Sequence, residues 1–340
     1  MTWAIFIWRK MAIPTGHKAR AIALWGLLAC FVVHTATAAQ PLRIGVSDWP
    51  GWVAWYVAQA KGYFRQNGAE VQLVWFPNYS DSIQALAGRR LDANSQTWSD
   101  TMPALAAGVK LKVVLVNDNS AGNDALLVSN AIKDWQGLRG QRIALEQFTP
   151  SHFLLSHALA AHHLSLDDVS VINMPAPEAA AAFLAGRVQA VAVWNPWVMR
   201  IVKSGKGYVL YSSAQMPGLI VDCLVAQGQA LEDPERRRQL VGMIRAWYQT
   251  VAFIEAHPQE AAAIMAGHVG LDANTYATAL QGTHFFDAAA NKAAFAADNP
   301  HGLLATAPII AAFLRQHHLL TGHFDAADAI DSSLIQEASP

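Results

Sequence analysis

The stretch LAGRVQAVAVWNP at residues 184–196 decides the fold. It has the pattern of a helix end closed by Gly186, a short apolar strand over 188–193, and a polar loop that opens on a tryptophan. An earlier stretch has the same order, because LAGR at 86–89 leads into a strand and then into Trp98. Two such units indicate two similar α/β lobes, each with ligand-facing loops at the carboxyl ends of its strands.

The rest of the chain alternates between apolar strands and helices in the same way. This alternation predicts an α/β fold in which each lobe is a mainly parallel sheet flanked by helices. The predicted strands are residues 42–46, 71–76, 91–95, 111–116, 126–128, 142–145, 169–172, 188–193 and 208–211, with an extended segment at 219–226. The predicted helices are residues 52–61, 81–87, 100–107, 151–163, 177–185, 197–203, 232–256, 258–267, 272–281 and 304–319.

Composition excludes several classes of protein. The 340 residues are 53% hydrophobic and only 14% charged, against roughly 25% charged residues in an average soluble domain. A disordered chain or a coiled coil would be far richer in charge. The formal net charge of −1 supplies no basic field for nucleic acid, so we expect no nucleic-acid partner.

The first 39 residues differ from the remainder. An apolar run at 21–33 is followed by small residues at 35–39, and no acid precedes them. Basic, apolar and small segments in this order are typical of a secretory signal, and the run is shorter than the roughly 20 residues that a spanning helix needs. We therefore expect export to the periplasm, with cleavage near Ala38 or Ala39. The basic residues are Arg9, Lys10, Lys18 and Arg20.

Two points about this segment stay open. The start is Met1 or Met11, since Met11 would give an ordinary basic beginning. Residues 27–30 resemble a lipoprotein cleavage box ending in Cys30, but the apolar run continues past it. That continuation favours cleavage near Ala38 or Ala39 over lipid attachment.

Removal of residues 1–39 changes the charge and the cysteine count. Four of the 24 basic residues leave, so 20 remain against 25 acids, a net charge of −5. Cys223 is then the one cysteine in the sequence and has no partner for an intramolecular disulfide. About 300 residues are enough for a large core that holds the fold without one.

Polar, tryptophan-rich loops follow five of the strands. A helix that begins in such a loop presents unpaired N–H groups and a partial positive charge, and so can bind an anion without a basic side chain. The loops contain no Lys or Arg, and their serines equally suit simple helix capping. The five loops are residues 47–52, 77–81, 96–99, 147–152 and 194–197.

These loops supply the candidate ligand-binding residues. Tryptophans are often core residues, but several in ligand-facing loops can form flat walls for an apolar or cationic group. Asp48 and Asp222 are the acids best placed to pair with an amine, although either also suits a turn or a cap. The candidates are Asp48, Trp49, Trp52, Asn78, Tyr79, Ser80, Gln96, Thr97, Trp98, Thr149, Ser151, His152, Trp194, Asn195 and Asp222.

Several of these segments resemble the nitrate/taurine/alkanesulfonate-type periplasmic binding proteins of ABC importers. The resemblance covers most of the chain after residue 42, and it depends on the order and spacing of its motifs. They are Trp49-Pro50-Gly51-Trp52, Ala60-Lys61-Gly62-Tyr63-Phe64, Leu138-Arg139-Gly140-Gln141-Arg142-Ile143-Ala144, and residues 182–190 running into Trp194-Asn195-Pro196.

The resemblance implies a two-lobed, type II periplasmic binding protein-like fold, with lobe I at 40–125 plus 222–340 and lobe II at 126–221. It further implies a monomer that captures a small organic solute and delivers it to permease subunits in the inner membrane. The solute classes are alkanesulfonates, taurine-like compounds and related nitrogen compounds. Family members often carry an acid where this chain has Asn195, which argues against an amine contact there.

The sequence supports other functions less well. The 13 histidines include no pair with the i, i+4 spacing of a helical zinc site, so we expect no metal and no cofactor. The same fold hosts desulfination by a cysteine nucleophile, which makes a periplasmic hydrolase using Cys223 the main alternative. However, Asp222 beside it would disfavour the thiolate. A sensor domain or a purely structural exported protein fits the polar strand ends less well.

Overall fold

The computed structural model describes residues 40–339. The predicted signal segment at 1–39, with its cleavage and lipidation sites, lies outside the described residues. Among residues 40–339, none of the helices combines the length and the apolar character needed to cross a bilayer.

Eleven strands and sixteen α-helices form the part of the chain that the structure describes. The strands are β1 Leu42–Val46, β2 Val71–Trp75, β3 Ala93–Thr97, β4 Leu111–Ser120, β5 Asp124–Ser129, β6 Arg142–Leu145, β7 Ser170–Asn173, β8 Ala190–Trp194, β9 Gly207–Ser212, β10 Val221–Gln227 and β11 Thr283–Phe285. The helices are α1 Pro50–Val53, α2 Trp55–Ala60, α3 Tyr63–Gln66, α4 Tyr79–Ala87, α5 Trp98–Ala106, α6 Pro150–Ala161, α7 Ala176–Leu184, α8 Trp197–Lys203, α9 Gly228–Glu232, α10 Pro234–Ala256, α11 Pro258–Val269, α12 Ala273–Leu280, α13 Ala288–Phe295, α14 Leu303–Gln316, α15 Ala326–Ala329 and α16 Ser333–Ala338.

The strands form two sheets, with the orders β11-β4-β10-β3-β1-β2 and β7-β6-β8-β5-β9. The predicted α/β fold with two sheets flanked by helices is confirmed, but the sheets are mixed rather than mainly parallel. β1 pairs in parallel with β2 and β3, and β6 with β7 and β8. Every antiparallel pair contains β4, β5 or β10, strands next to the points where the chain crosses between sheets. β4 leaves the first sheet at one crossing and β10 enters it at the other, so these two neighbours run in opposite directions.

The chain crosses between the sheets twice, at residues 121–123 and 213–220. The two crossings are tied together, because Ser213 Oγ lies 2.6 Å from Ser120 Oγ and accepts the Gly122 N–H at 2.7 Å. Gly122 has a φ of 125°, which an L-residue rarely adopts. β5 begins at Asp124 and belongs to the second sheet, so the predicted boundary after residue 125 falls inside a strand. The lobe boundaries 40–125 plus 222–340 and 126–221 stay a proposal.

The longest helix, α10, packs against the first sheet and α2. Asp233 caps it by accepting the N–H groups of Glu235 and Arg236, and proline occupies the first helical position. Its Trp247 packs against Trp55 with ring centroids 4.6 Å apart and the ring planes tilted by 53°. Both rings are fully buried, so they anchor α10 on α2.

The segment after β1 forms two short helices where a single helix was predicted. Residues 52–61 were expected to form one helix, whereas α1 and α2 are separate and meet at Ala54. α1 begins at Pro50, so the helix starts two residues earlier than the pattern indicates. This early start turns Trp49 and Trp52 toward the second sheet, where they contribute to the site described next.

Candidate functional site

Loops from the two sheets meet around a small cavity, here called the aromatic cavity. Its walls come from the start of α1, the start of α4, the end of β8 and the strands next to the two crossings. The lining residues are Trp49, Trp52, Tyr79, Asp124, Pro150, Trp194, Ile220 and Asp222.

Four aromatic rings enclose this cavity. Trp52 lies 4.8 Å from Tyr79 and 6.3 Å from Trp49, measured between ring centroids. Trp194 meets Tyr79 edge-on at 6.0 Å, with the ring planes at 87°. Each of the four residues is at most 4% exposed. Three rings come from the first-sheet side and one from the second, so the cavity belongs to both.

Asp48 joins the two sides directly. Its carboxylate accepts the indole N–H of Trp194 at 2.8 Å and that of Trp197 at 2.7 Å. Burial raises the pKa of Asp48 to about 6, although the two indole hydrogen bonds favour the charged form. Asp48 therefore serves as an acceptor between the sheets and does not line the cavity.

A group of buried acids, here called the acidic cluster, includes two residues that line the aromatic cavity, Asp124 and Asp222. It consists of Asp100, Asp118, Asp124 and Asp222, each at most 8% exposed. Burial raises the pKa of each of the first three to about 7. Burial and the negative charge of Asp118 raise the pKa of Asp222 further. No lysine or arginine is among the described residues that line the aromatic cavity.

Asp118, a member of the acidic cluster, explains why α1 has a glycine at position 51. Asp118 accepts the indole N–H of Trp49 at 2.8 Å. Its other carboxylate oxygen lies only 1.9 Å from where a β-carbon on Gly51 would be. Any larger residue at position 51 would displace this carboxylate, so glycine is required by a close approach rather than by its backbone angles.

A larger groove of about 430 Å³ lies beside the aromatic cavity and is also shared by both sides. Glu146 bridges it by accepting the Ser80 N–H at the start of α4 (2.9 Å) and the Ala176 N–H at the start of α7 (3.3 Å). The expectation that helix starts hold an anion from outside is therefore not met at α4, where the protein's own carboxylate takes that place. The residues lining the groove include Asn78, Ser80, Asp81, Asp100, Glu146, Phe148 and Asn173.

The predicted ligand-binding residues fall into three groups. Trp49, Trp52, Tyr79, Trp194 and Asp222 line the aromatic cavity, and Asn78 and Ser80 line the groove. Asp48 supports the rings of Trp194 and Trp197. The structure places the remaining seven in neither cavity: Gln96, Thr97, Trp98, Thr149, Ser151, His152 and Asn195.

Three of those seven, Thr97, Trp98 and Asn195, have identifiable roles in the frame of the site. Thr97 caps α5, and Trp98 packs edge-on against Phe324 at 6.1 Å. Asn195 donates to Asn123 at 2.6 Å and accepts the Met199 N–H at 3.0 Å. The amide of Asn195 is therefore bonded to the protein on both sides.

Sequence reasoning missed Asp100, Asp118, Asp124 and Glu146. The available signal was position: Asp118 lies inside β4 and Asp124 begins β5, on either side of the first crossing. An acid in an apolar strand is expensive to bury unless it is paired or has a function. Asp118 was overlooked because the strand was expected to end at residue 116.

Cys223 has no nucleophilic character in this arrangement. It lies in β10, fully buried, and burial together with the negative charge of Asp222 raises the pKa of its thiol well above the ordinary value. The thiolate is the reactive form of cysteine. The geometry therefore gives no support to the hydrolase alternative. Among residues 40–339, no group of three or more His, Cys, Asp or Glu is arranged to hold a metal.

Comparison with known proteins gives a consistent result. The model of the NMT1-like family matches residues 35–270. An aliphatic sulfonates-binding protein of Escherichia coli (strain K12) is 26% identical over 266 residues, 76% of this chain and 82% of that protein. The taurine-binding periplasmic protein of the same strain is 27% identical over 197 residues, 58% of this chain and 61% of that protein.

Solved structures share the fold. The periplasmic aliphatic sulphonate binding protein SsuA from Escherichia coli has a TM-score of 0.71 at 22% identity, covering 86% of this chain and 92% of SsuA. The desulfurization enzyme DszB has a TM-score of 0.62 at 14% identity, covering 88% and 98%. The fold alone therefore does not separate binding from catalysis, and the side chains must decide.

Proposed function

The chain belongs to the NMT1-like family, and from this membership we propose that it is an exported solute-binding protein of an ABC importer. It captures a small organic solute between its two lobes. The observation that carries the proposal is the shared site: loops at the carboxyl ends of strands from both sheets enclose one cavity and one groove. Ligands of α/β proteins bind at this edge of the sheet.

Capture depends on contacts that exist only when the lobes meet. The hydrogen bonds from Trp194 and Trp197 to Asp48 cross between the two sheets. A solute that binds better when these contacts are made shifts the protein toward the closed form. Permease subunits in the inner membrane would recognise that form, and the binding protein would act as a monomer in the periplasm.

The solute is proposed to be an alkanesulfonate, a taurine-like compound or a related nitrogen compound. The curated relatives are named for sulfonates and taurine. The buried thiol of Cys223 supports binding over hydrolysis, because burial and the charge of Asp222 raise its pKa well above the ordinary value. Product analysis after incubation with a bound solute would reveal turnover if this is wrong.

The test is a thermal-shift panel of alkanesulfonates, amines, nitrate and pyrimidines. A solute at 100 times its Kd stabilises the folded protein by about 2.7 kcal/mol, which is an easily measured rise in Tm. We expect at least one sulfonate or nitrogen compound to raise Tm in a saturable manner. The absence of a shift with every member of the panel would overturn the proposed solute class.

A further inference from the structure

The inference that follows rests on the proposed function and concerns the chemistry of the solute. The aromatic cavity presents π faces and carboxylates together. Asp124 lines it, is 1% exposed, and its Oδ2 has no hydrogen-bond partner among residues 40–339. A buried carboxylate oxygen without a partner is costly, so a donor arriving with the solute would satisfy it.

Three donors that an anion could use here are already bound to acids of the protein. The indole N–H groups of Trp49 and Trp194 are bonded to Asp118 and Asp48. The N–H group of Ser80, at the start of α4, is bonded to Glu146. An anionic group entering here would therefore meet carboxylates, whereas a cationic group would meet acceptors.

The rings add to the attraction for a cation. Trp52, Tyr79 and Trp194 surround the cavity at centroid separations of 4.8 and 6.0 Å. A cation over a tryptophan or tyrosine face is attracted by the ring electrons, and the attraction is stronger when water is excluded. These rings are at most 4% exposed, so water is largely excluded.

The size of the cavity restricts the cation. The room for the centre of a water-sized group is about 10 Å³, which is near the minimum for a single water. A primary ammonium is about that size, and a trimethylammonium is much larger. The neighbouring groove of about 430 Å³ can hold the rest of the solute. Tyr79 links the two spaces, because its ring lines the cavity and its hydroxyl donates at 2.9 Å to Asp100, which lines the groove.

We propose that the aromatic cavity binds the primary ammonium group of the solute, with Asp124 as its charge partner and Trp52, Tyr79 and Trp194 as its walls. The Nε1 of Trp52 is also buried and has no partner within the described part of the chain. It donates to an oxygen elsewhere on the same solute. Asp222 lines the cavity beside Asp124 and supplies a second acceptor.

The test uses pairs of compounds that differ by one group, measured by isothermal titration on the mature protein. The pairs are taurine and isethionate, ethanolamine and ethylene glycol, and propylamine and propanol. We expect at least one amine to bind and its hydroxyl partner to bind at least about tenfold more weakly. The comparison needs no variant, so it cannot fail through misfolding.

The variant Asp124→Asn keeps the shape and removes the charge. It should lower the affinity for the amine by about tenfold or more, whereas Asp298→Asn, an exposed acid in neither cavity, should leave the affinity unchanged. Equal binding of an amine and its hydroxyl partner, or an unchanged affinity in Asp124→Asn, would overturn the inference.

The outcomes also separate this inference from the proposed function. Binding of isethionate or another amine-free sulfonate, with no binding of any amine, would refute the ammonium site and leave solute capture intact. Binding of no compound, including the sulfonates, nitrate and pyrimidines of the thermal-shift panel, would refute both.

Discussion

Substitution of a single residue where the two sheets meet is expected to lower the free energy of unfolding by more than the lost volume alone would explain. Trp194→Phe removes one indole N–H and leaves the buried carboxylate of Asp48 with one donor fewer. Such a loss costs about 1–3 kcal/mol in the free energy of unfolding. Urea denaturation at pH 7 measures it.

The control for this variant is Trp98→Phe. Trp98 is fully buried, and none of the residues that the structure describes accepts a hydrogen bond from its Nε1. Both substitutions remove similar volume, but only Trp194→Phe breaks a hydrogen bond. Equal destabilisation by the two would show that the bond to Asp48 contributes nothing.

The titration of Asp124 is expected to make the stability of the protein depend on pH. Burial raises the pKa of Asp124 from 3.8 to about 7. The folded state therefore binds the proton more tightly than the unfolded state. The resulting stability is fully present below about pH 4 and is lost as the pH rises through about 7. Between pH 5 and 8, we expect the free energy of unfolding to fall with pH.

For the variant Asp124→Asn, the free energy of unfolding should depend less strongly on pH over this range. At pH 8, the variant and the wild-type protein should differ in this free energy by roughly 1–4 kcal/mol. The groups facing Asp124 are Asp100, Asp118 and Asp222. Since these remain, part of the slope should remain as well. Urea titrations at pH 5, 6.5 and 8 measure the free energy of unfolding of both proteins. The same change with pH in both would contradict the raised pKa of Asp124.

At the scale of one element, α1 provides a test of close approach. Gly51→Ala would ordinarily stabilise a helix by roughly 1 kcal/mol. Here the new β-carbon would meet the Asp118 carboxylate at 1.9 Å, so we expect net destabilisation and a lower Tm. Gly267→Ala in α11 is the matched control, because nothing lies within 4 Å of its β-carbon position. Stabilisation by both substitutions would show that Asp118 moves away at little cost.

The elements also show what a sequence can predict. β1 was predicted at its observed limits, and α11 differs only by its last two residues, because apolar runs and a leading proline mark them. β11 was missed, since three residues carry no periodic pattern. It exists because it pairs with the far end of β4, a contact between residues that are distant in the chain.

The site was partly predictable for a similar reason. The tryptophans and Asp222 stood out because they follow or lie in recognisable strands. Asp124 and Glu146 did not, since their importance comes from what the other sheet places against them. Glu146, for example, accepts N–H groups from helices that begin at residues 79 and 176. No local pattern encodes that meeting.

At the scale of the whole molecule, the arrangement resembles a clamp. The chain joins two sheets at two crossings, and the candidate site lies where loops of both sheets meet. The crossings at 121–123 and 213–220 are bonded together through Ser213. The cavities lie where loops of both sheets meet. A solute held there contacts both sheets, so its binding energy is coupled to their closure.

Native mass spectrometry of the mature protein, mixed with an ultrafiltered extract of small metabolites, tests capture between the lobes most directly. We expect one low-mass organic compound bound at one copy per chain, and its loss in the variant Trp194→Ala, which removes the second sheet's wall of the cavity. A compound retained equally by Trp194→Ala, or no bound compound on the wild-type protein, would contradict capture at this site.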